Sequence, residues 1–464
     1  ASTAAECWEK TGKPPVTTKW VDVNKGRDGE VIVRSRLVAR DFRVKGDSRQ
    51  FEVFAAMPPI EAKRLLFRMA MMSGAIGGDE RRGVVKLLFI DIKKAHLNGK
   101  LSEDEFAYVS LPPEAGGGVG RLARWLYGMR SAASAWEEDY SKNLESIGFQ
   151  RGKSASTTFF HAKTGVRLVL WGDDFTFLGR DLDLKMMQDH LNEWYETTSR
   201  GMLGPEPGDA KEVRILNRTL KWGVDGITYE GDDKHAKTVI AAMGLAANSK
   251  GLDQAVIKED TGVDESDALE AVAAKRYRSI AAVVNYMSLD RPDLQFAASV
   301  LGRSMSRPTV AAEARLKKVA RYLVSHPRVV YHYEAAQLDA EVEMVAWTDS
   351  DWAGCRVSRR STSGGLLSVA GGVIKSWSNR QGSVALSSAE AEFYAAGKAA
   401  VEALGARSLC ADLGWECNLQ IRMDAEAARA IASRQGIGKV RHLEVRYLWL
   451  QDKVRGGEIK LVKV

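Results

Sequence analysis

With 464 residues, 45% hydrophobic and 27% charged, the chain has the composition of a globular protein, is long enough for about three domains, and each domain can bury a core. Lys and Arg outnumber Asp and Glu by 67 to 60, and the pI near 9.0 suits a polyanionic partner without establishing one. Cys7, Cys355, Cys410 and Cys417 show no C-x-x-C pairing, and no signal peptide or membrane-spanning apolar run is present; this argues for an intracellular, reduced protein without structural metal, and a first residue that is Ala suggests a processed product or a fragment of a larger polyprotein.

Residues 1–16 lack periodicity and read as a loose lead-in. Trp20–Val23 and Val31–Val38 read as two strands joined by the turn-rich segment Asn24–Gly29, with Arg34 and Arg36 on the second. Ile60 to Ala75 has Leu65, Leu66, Met69, Met72 and Ile76 at helical spacing, a stripe expected to pack in a core. Val84 to Ile92 is a nearly continuous β-branched and apolar run, hence a buried strand, which Asp91 interrupts near its end. An isolated Asp in such a run needs a partner or a metal. After the flexible turn Gly116-Gly117-Gly118, residues Leu122 to Ile147 read as a helical segment containing Trp136 and Tyr140.

The stretch Leu168 to Gly179 consists of two apolar runs separated by Gly172-Asp173-Asp174, which reads as a tight hairpin with two carboxylates at its tip. An Asp-rich turn by itself is commonplace. A second strand ending in an isolated Asp, together with the basic excess, points instead to two-metal phosphoryl transfer, in which paired cations offset the repulsion between neighbouring anions.

Further along, Val213–Leu216, Leu220–Val224 and Ile227–Tyr229 read as strands, and Asn248–Glu270 is an acidic, turn-rich linker. Helices are expected from Tyr277 through Asp293 and from Arg315 to Tyr322; among Arg303, Arg307, Arg315, Lys317, Lys318 and Arg321 a minority is expected to track a phosphate backbone. Val342–Asp349 alternates as a half-buried strand. Leu366–Ala370 and Val373–Trp377 flank Gly371-Gly372 as a hairpin. Ser387 and Glu390 have capping-box spacing and open a long Ala-rich helix to about Leu413, with Glu392 in its first turns. Leu419–Met423 is a strand ending in Asp424, followed by a helix over Ala425–Ala432. Each acid alone has a structural explanation, as a dipole partner or a helix cap. Two at strand ends and one at a helix start can also converge on one edge of a sheet.

Four ordered segments, Arg36–Arg40, Asp91–Gly99, Leu126–Arg130 and Trp171–Asp174, resemble the motifs of a copia-type LTR retrotransposon reverse transcriptase. Thr348–Gly354 and Ser387–Glu392 resemble that family's ribonuclease H. The resemblance covers nearly the whole chain. It implies an α/β (α+β) multidomain enzyme: the lead-in 1–16, right-hand polymerase fingers and palm over 17–246, linker plus thumb and connection helices over 247–338, and an RNase H-like mixed-sheet domain over 339–464. It implies RNA-directed DNA synthesis with Mg²⁺ held by Asp91, Asp173 and Asp174, and cleavage of the RNA strand of a hybrid with Mg²⁺ held by Asp349, Glu392 and Asp424. Two ions are expected per site, with Mn²⁺ able to substitute.

Glu444, in Arg441-His442-Leu443-Glu444, stands where the family has a fourth acid, usually Asp. Glu390 and Asp351 recur in the family pattern as supporting residues. Arg34 and Arg36 are implied to grip the incoming triphosphate, and Arg130 stands for a family lysine. His96 takes the place of an aromatic residue that rejects a 2′-hydroxyl, and Ser131-Ala132-Ala133 replaces the usual Gln-Ala-Pro. The partners implied are RNA template, DNA primer, RNA–DNA hybrid, deoxynucleoside triphosphates and upstream polyprotein products such as integrase, with no membrane. The family's cycle implies cytoplasmic particles with access to the nucleus. Two readings compete: a degenerate or domesticated element that binds nucleic acid without chemistry, and a nuclease-only enzyme.

Overall fold

The computed structural model describes residues 2–24, 26, 30–42, 56–74, 76–255, 267–337, 341–436, 438, 442–443 and 445–464. The fold is mixed helix and sheet, divided into two compact units. The first comprises residues 1–59 and 77–201, the second residues 60–76 and 202–464.

In the first unit, Thr18–Asn24 and Val33–Ala39 pair antiparallel as the expected ribbon. The main sheet has six strands in the order Thr197–Leu203, Val85–Ile92, Asp174–Arg180, Val166–Trp171, Thr158–His161 and Gln150–Arg151. Its central strands are apolar on both faces because both are covered: Leu87, Leu88, Leu168, Val169, Phe177 and Leu178 are fully buried. The helices Ala132–Ser146 and Asp181–Trp194 bury Trp136, Tyr140, Leu184 and Leu191. The helix expected from Leu122 therefore begins ten residues later. Gly128 explains the delay: its φ of 86° is left-handed, and a Cβ there would lie 2.2 Å from the carbonyl oxygen of Ala39. Leu126–Arg130 is accordingly a loop, locked to the ribbon by Ala39 N–H donating to Tyr127 O at 2.7 Å.

In the second unit, the helix Ile60–Ala70 ends five residues before the expected Ala75. The chain then turns into the short strand Met72–Ser73, parallel to Ala336–Gln337. The helix buries its charges as well as its apolar stripe. Arg64 donates to Asp290 at 2.9 Å and to the carbonyls of Leu289 and Ile374, and Asp290 also takes Arg218 at 2.8 Å and the Tyr229 hydroxyl at 2.7 Å. Asp290 is thus compensated on both oxygens, which makes burial of the ions tolerable.

A four-stranded antiparallel sheet, Glu212–Ile215, Arg218–Trp222, Gly226–Gly231 and Val330–Glu334, lies in the same unit. Its core neighbour is a cluster of helices, Lys234–Ala242, Ala271–Met287, Gln295–Arg303 and Val310–Ser325. The helix expected through Asp293 stops at Met287, and a short 3₁₀ turn, Pro292–Leu294, precedes the next one. Arg315 is buried and cannot track a phosphate backbone. Part of the expected linker, residues 256–266, lies outside the described residues.

The C-terminal part of this unit is a five-stranded sheet. Its spatial order is Gly372–Arg380, Thr362–Val369, Val342–Ser350, Cys417–Met423 and Lys460–Lys463; the first three are antiparallel and the last two run parallel to the central strand. The first hairpin turns on Ala370-Gly371, one residue earlier than the expected Gly371-Gly372. Both residues have positive φ, 47° and 81°, as a two-residue I′ turn requires. The helix Ser388–Asp412 begins with Ser387 as its cap: Ser387 Oγ accepts from Glu390 N–H at 3.2 Å, while the Glu390 carboxylate reaches back one residue past the cap, to Leu386 N–H at 2.8 Å. The helix expected from Ala425 runs over Glu426–Ser433.

Candidate functional sites

The first site forms where two strands set acids side by side. Val166–Trp171 and Asp174–Arg180 are joined by Gly172-Asp173, with Gly172 at φ 69° in the first turn position, the pattern of a glycine-first hairpin. Trp136 Nε1 donates to Gly172 O at 3.1 Å, and Ile92 N–H donates to Asp173 O at 2.9 Å, so the tip is held from both sides. Asp174 and Asp91 are cross-strand partners, and Asp173 stands exposed at the turn. Burial, then Asp173 and Asp174, push the Asp91 carboxyl above the usual range, while Arg200 and Arg34 pull it back.

Arg200 had no place in the sequence reading. Its guanidinium lies 2.8 Å from Asp174 and 3.6 Å from Asp91, bridging the pair with a single cation. It comes from the strand Thr197–Leu203, neighbour to the Asp91 strand in the sheet. A basic residue on the strand next to an isolated Asp is the signal that could have found it, but only once the pairing is known.

Arg34 and Arg36 are exposed on the ribbon, and Arg36 lies 5.5 Å from the centroid of the Tyr127 ring. Tyr127 meets His96 at 4.8 Å between ring centroids. Burial holds the His96 imidazole below its usual range; Asp173 opposes that shift and Arg36 adds to it. The neutral ring thus presents itself near the acids. Arg130 ends the Leu126–Arg130 loop, where its backbone N–H donates to Asp41 at 3.1 Å.

The second site gathers Asp349, Glu392 and Asp424, which offer carboxylate oxygens all within 4.8 Å of one another. Asp349 and Asp424 are exposed and Glu392 is buried. Burial raises the Glu392 carboxyl to about 7, and Asp349 adds to the rise against hydrogen bonds from the Ser350 N–H and hydroxyl, both at 3.0 Å. Glu392 Oε2 is buried, and among the described residues nothing donates a hydrogen bond to it. An all-oxygen cluster with a buried, unsatisfied carboxylate oxygen fits a hard divalent cation. Asp424 is not the helix cap, since Ala425 occupies that position.

Glu390 and Asp351 are structural here. Glu390 is buried, accepting from Tyr394 at 2.5 Å and pairing with His442 at 2.7 Å; Asp351 accepts from Thr362 N–H. Glu444 lies outside the described residues.

Comparison with known proteins places this geometry in a class. Residues 8–200, which include the whole first site, match the family described as reverse transcriptase (RNA-dependent DNA polymerase). Over 98% of its length the chain is 24% identical to the retrovirus-related Pol polyprotein from transposon TNT 1-94 of Nicotiana tabacum, and likewise 24% identical to that from transposon RE1 of Arabidopsis thaliana. It covers 34% and 31% of those two proteins, about a third of their length. A shorter relative, the secreted RxLR effector protein 161 of Plasmopara viticola, is 38% identical over 126 residues, 27% of this chain and 87% of that protein. The chain belongs to the Pol polyprotein family of copia-type retrotransposons, as its motifs predict.

Proposed function

We propose that the chain is an RNA-directed DNA polymerase with a ribonuclease H, copying retrotransposon RNA into DNA and degrading the RNA strand of the resulting hybrid. The observation that carries the polymerase is the cross-strand pairing of Asp91 with Asp174, with Asp173 at the adjoining turn, inside the span that matches the reverse transcriptase family. Asp91, Asp173 and Asp174 would hold Mg²⁺ or Mn²⁺. Bound there, the metal supplies the positive charge that lowers the pKa of the primer 3′-hydroxyl and stabilises departing pyrophosphate.

The chain's own groups do the positioning. Trp136 and Ile92 hold the hairpin tip, Arg34 and Arg36 bind the triphosphate, and the His96–Tyr127 ring pair meets the nucleotide sugar. Arg200 offsets part of the charge on the two carboxylates, a charge that a bound metal would also offset.

The nuclease reading is supported by the strand order of the five-stranded sheet and by the convergence of Asp349, Glu392 and Asp424. Glu392 would give up its proton on binding metal, and the 2′-hydroxyl would distinguish the RNA strand. Template, primer and deoxynucleoside triphosphates are the substrates, and integrase would be encoded in the same Pol product. The site of action proposed is the cytoplasmic particle, with access to the nucleus.

Primer extension tests the polymerase: the parent extends a DNA primer on an RNA template with Mg²⁺ and deoxynucleotides, and Asp174→Asn does not. Undiminished extension by the variant would refute the assignment. Arg200 favours one rival, a protein that binds nucleic acid without chemistry, because it offsets the acidic pair without a metal. That rival predicts a parent that shifts a hybrid on a native gel and alters neither strand.

A further inference from the structure

Beside the helix Ser388–Asp412 lies a cavity of about 370 Å³, open to solvent, between the end of the strand Gly372–Arg380 and the segment that carries Tyr447 and Trp449. Its lining combines aromatic faces with polar and basic groups. The Tyr394 and Tyr447 rings meet tilted by 32° with centroids 4.1 Å apart, and Trp449 keeps 36% of its surface exposed. Arg380 is exposed at the strand's end, whereas Lys398 is paired with Glu402. Gln381 also lines the cavity and is only 7% exposed. Its Nε2 donates to Ser363 Oγ at 3.0 Å and to Ala391 O at 2.8 Å, while among the described residues nothing donates to its Oε1. A buried carbonyl oxygen left without a donor is costly unless something supplies one.

Two residues of the cavity lining connect it to the second acidic cluster. Gln381 holds the carbonyl of Ala391, the residue before Glu392. Ser363 is the cross-strand partner of Ser350, which in turn hydrogen-bonds Glu392.

We propose that this cavity is a nucleotide subsite, which takes one base and its phosphate from a polynucleotide strand running past Asp349, Glu392 and Asp424. The proposal rests on the nuclease reading of that cluster. Tyr447 and Trp449 offer the base a stacking surface that tolerates any sequence. Arg380 meets the phosphodiester. Gln381 Oε1 accepts an N–H or O–H from base or sugar. Among the described residues that line the cavity the cations are Arg380 and Lys398, and Lys398 is held by Glu402, a balance that suits the single charge of a phosphodiester better than the two charges of a free nucleotide's terminal phosphate.

The test uses the full chain and a short RNA–DNA hybrid carrying 5-iodouracil at one position per oligonucleotide, bound in Ca²⁺ in place of Mg²⁺ and irradiated. Cross-links should map to Tyr447 or Trp449, and from a narrow set of strand positions. In titrations, Trp449→Ala and Arg380→Glu should each weaken hybrid binding roughly fivefold or more, and Trp449→Phe should bind close to the parent. Arg380→Glu should also reduce the salt dependence by about one phosphate contact. Melting temperatures equal to the parent's exclude misfolding as the cause.

Hybrid binding with every cross-link elsewhere and unchanged affinities would overturn the subsite. Cross-linking of free 5-iodouridine monophosphate but not of the hybrid would overturn its assignment to a strand. A parent that binds no hybrid would overturn both this proposal and the nuclease reading. Cross-links in the cavity with no cleavage in Mg²⁺ would sink the nuclease alone and leave the subsite supported.

Discussion

Replacing Glu392 with Gln removes one negative charge at nearly constant size, and the geometry sets the sign of the effect. Burial and the neighbouring Asp349 hold the Glu392 carboxyl at about 7, above the ordinary 4.5. Between those values the folded chain keeps a proton that the unfolded chain has released. Stability from this group is therefore full below about 4.5, falls as pH rises to about 7, and stays low above. At about 1.4 kcal/mol per pKa unit the loss reaches at most about 3.5 kcal/mol. Glutamine escapes it.

In EDTA, E392Q should melt with the parent at about pH 4 and above it at about pH 8, by up to roughly 7–14 °C at roughly 2–4 °C per kcal/mol. Mg²⁺ should then narrow the gap by raising the parent more than the variant, which has lost a charged ligand. Thermal melts of both proteins across pH, with and without Mg²⁺, decide the matter. A variant that tracks the parent at every pH, or melts below it in alkaline EDTA, would refute the reasoning that a buried, uncompensated carboxylate sits at this position.

Arg200→Ala leaves Asp91 and Asp174 facing each other without their cation. The metal-free chain should lose about 0.5–1 kcal/mol, modest because the pair is partly exposed, and Mg²⁺ should stabilise the variant more than the parent; an equal Mg²⁺ response in melts would show that Arg200 does not hold the acids. Trp136→Phe deletes the donor to Gly172 O and should cost about 1 kcal/mol in denaturant unfolding while lowering kcat for extension more than it changes the primer's Kd. Normal kcat in that variant would mean the hairpin tip needs no support from the indole. Gly128→Ala meets both a left-handed backbone and the Ala39 carbonyl, so a loss of about 2 kcal/mol or more is expected; a parent-like denaturation midpoint would contradict the close approach.

Local pattern carried much of the architecture. The apolar runs around Gly172 and the run ending in Asp91 are legible because buried strands tolerate few residue types, and the Ser387–Glu390 spacing announces a helix start because the cap is built from its own sequence. Pairings between distant segments are not written locally. Arg200 reaches Asp174 only because its strand joins the sheet beside Asp91, and Arg64 finds Asp290 and Ile374 at separations of 226 and 310 residues. Arg315 shows the same limit from the other side, since a basic residue on a helix reads as solvated until the bundle buries it. The helix start at Ala132 and the turn at Ala370-Gly371 are not legible locally, because Gly128 takes its left-handed backbone against the distant Ala39 carbonyl and Ala370 is a non-glycine residue at positive φ.

The claim that one chain holds two separate phosphoryl-transfer sites is tested most directly in a single reaction with differently labelled RNA template and DNA primer, Mg²⁺ and deoxynucleotides, comparing the parent with Asp173→Asn and Asp349→Asn. The account predicts that the parent extends the primer and cleaves the template, that Asp173→Asn loses extension and keeps cleavage, and that Asp349→Asn does the reverse. Loss of both activities in either variant, or a parent that performs neither, would contradict it.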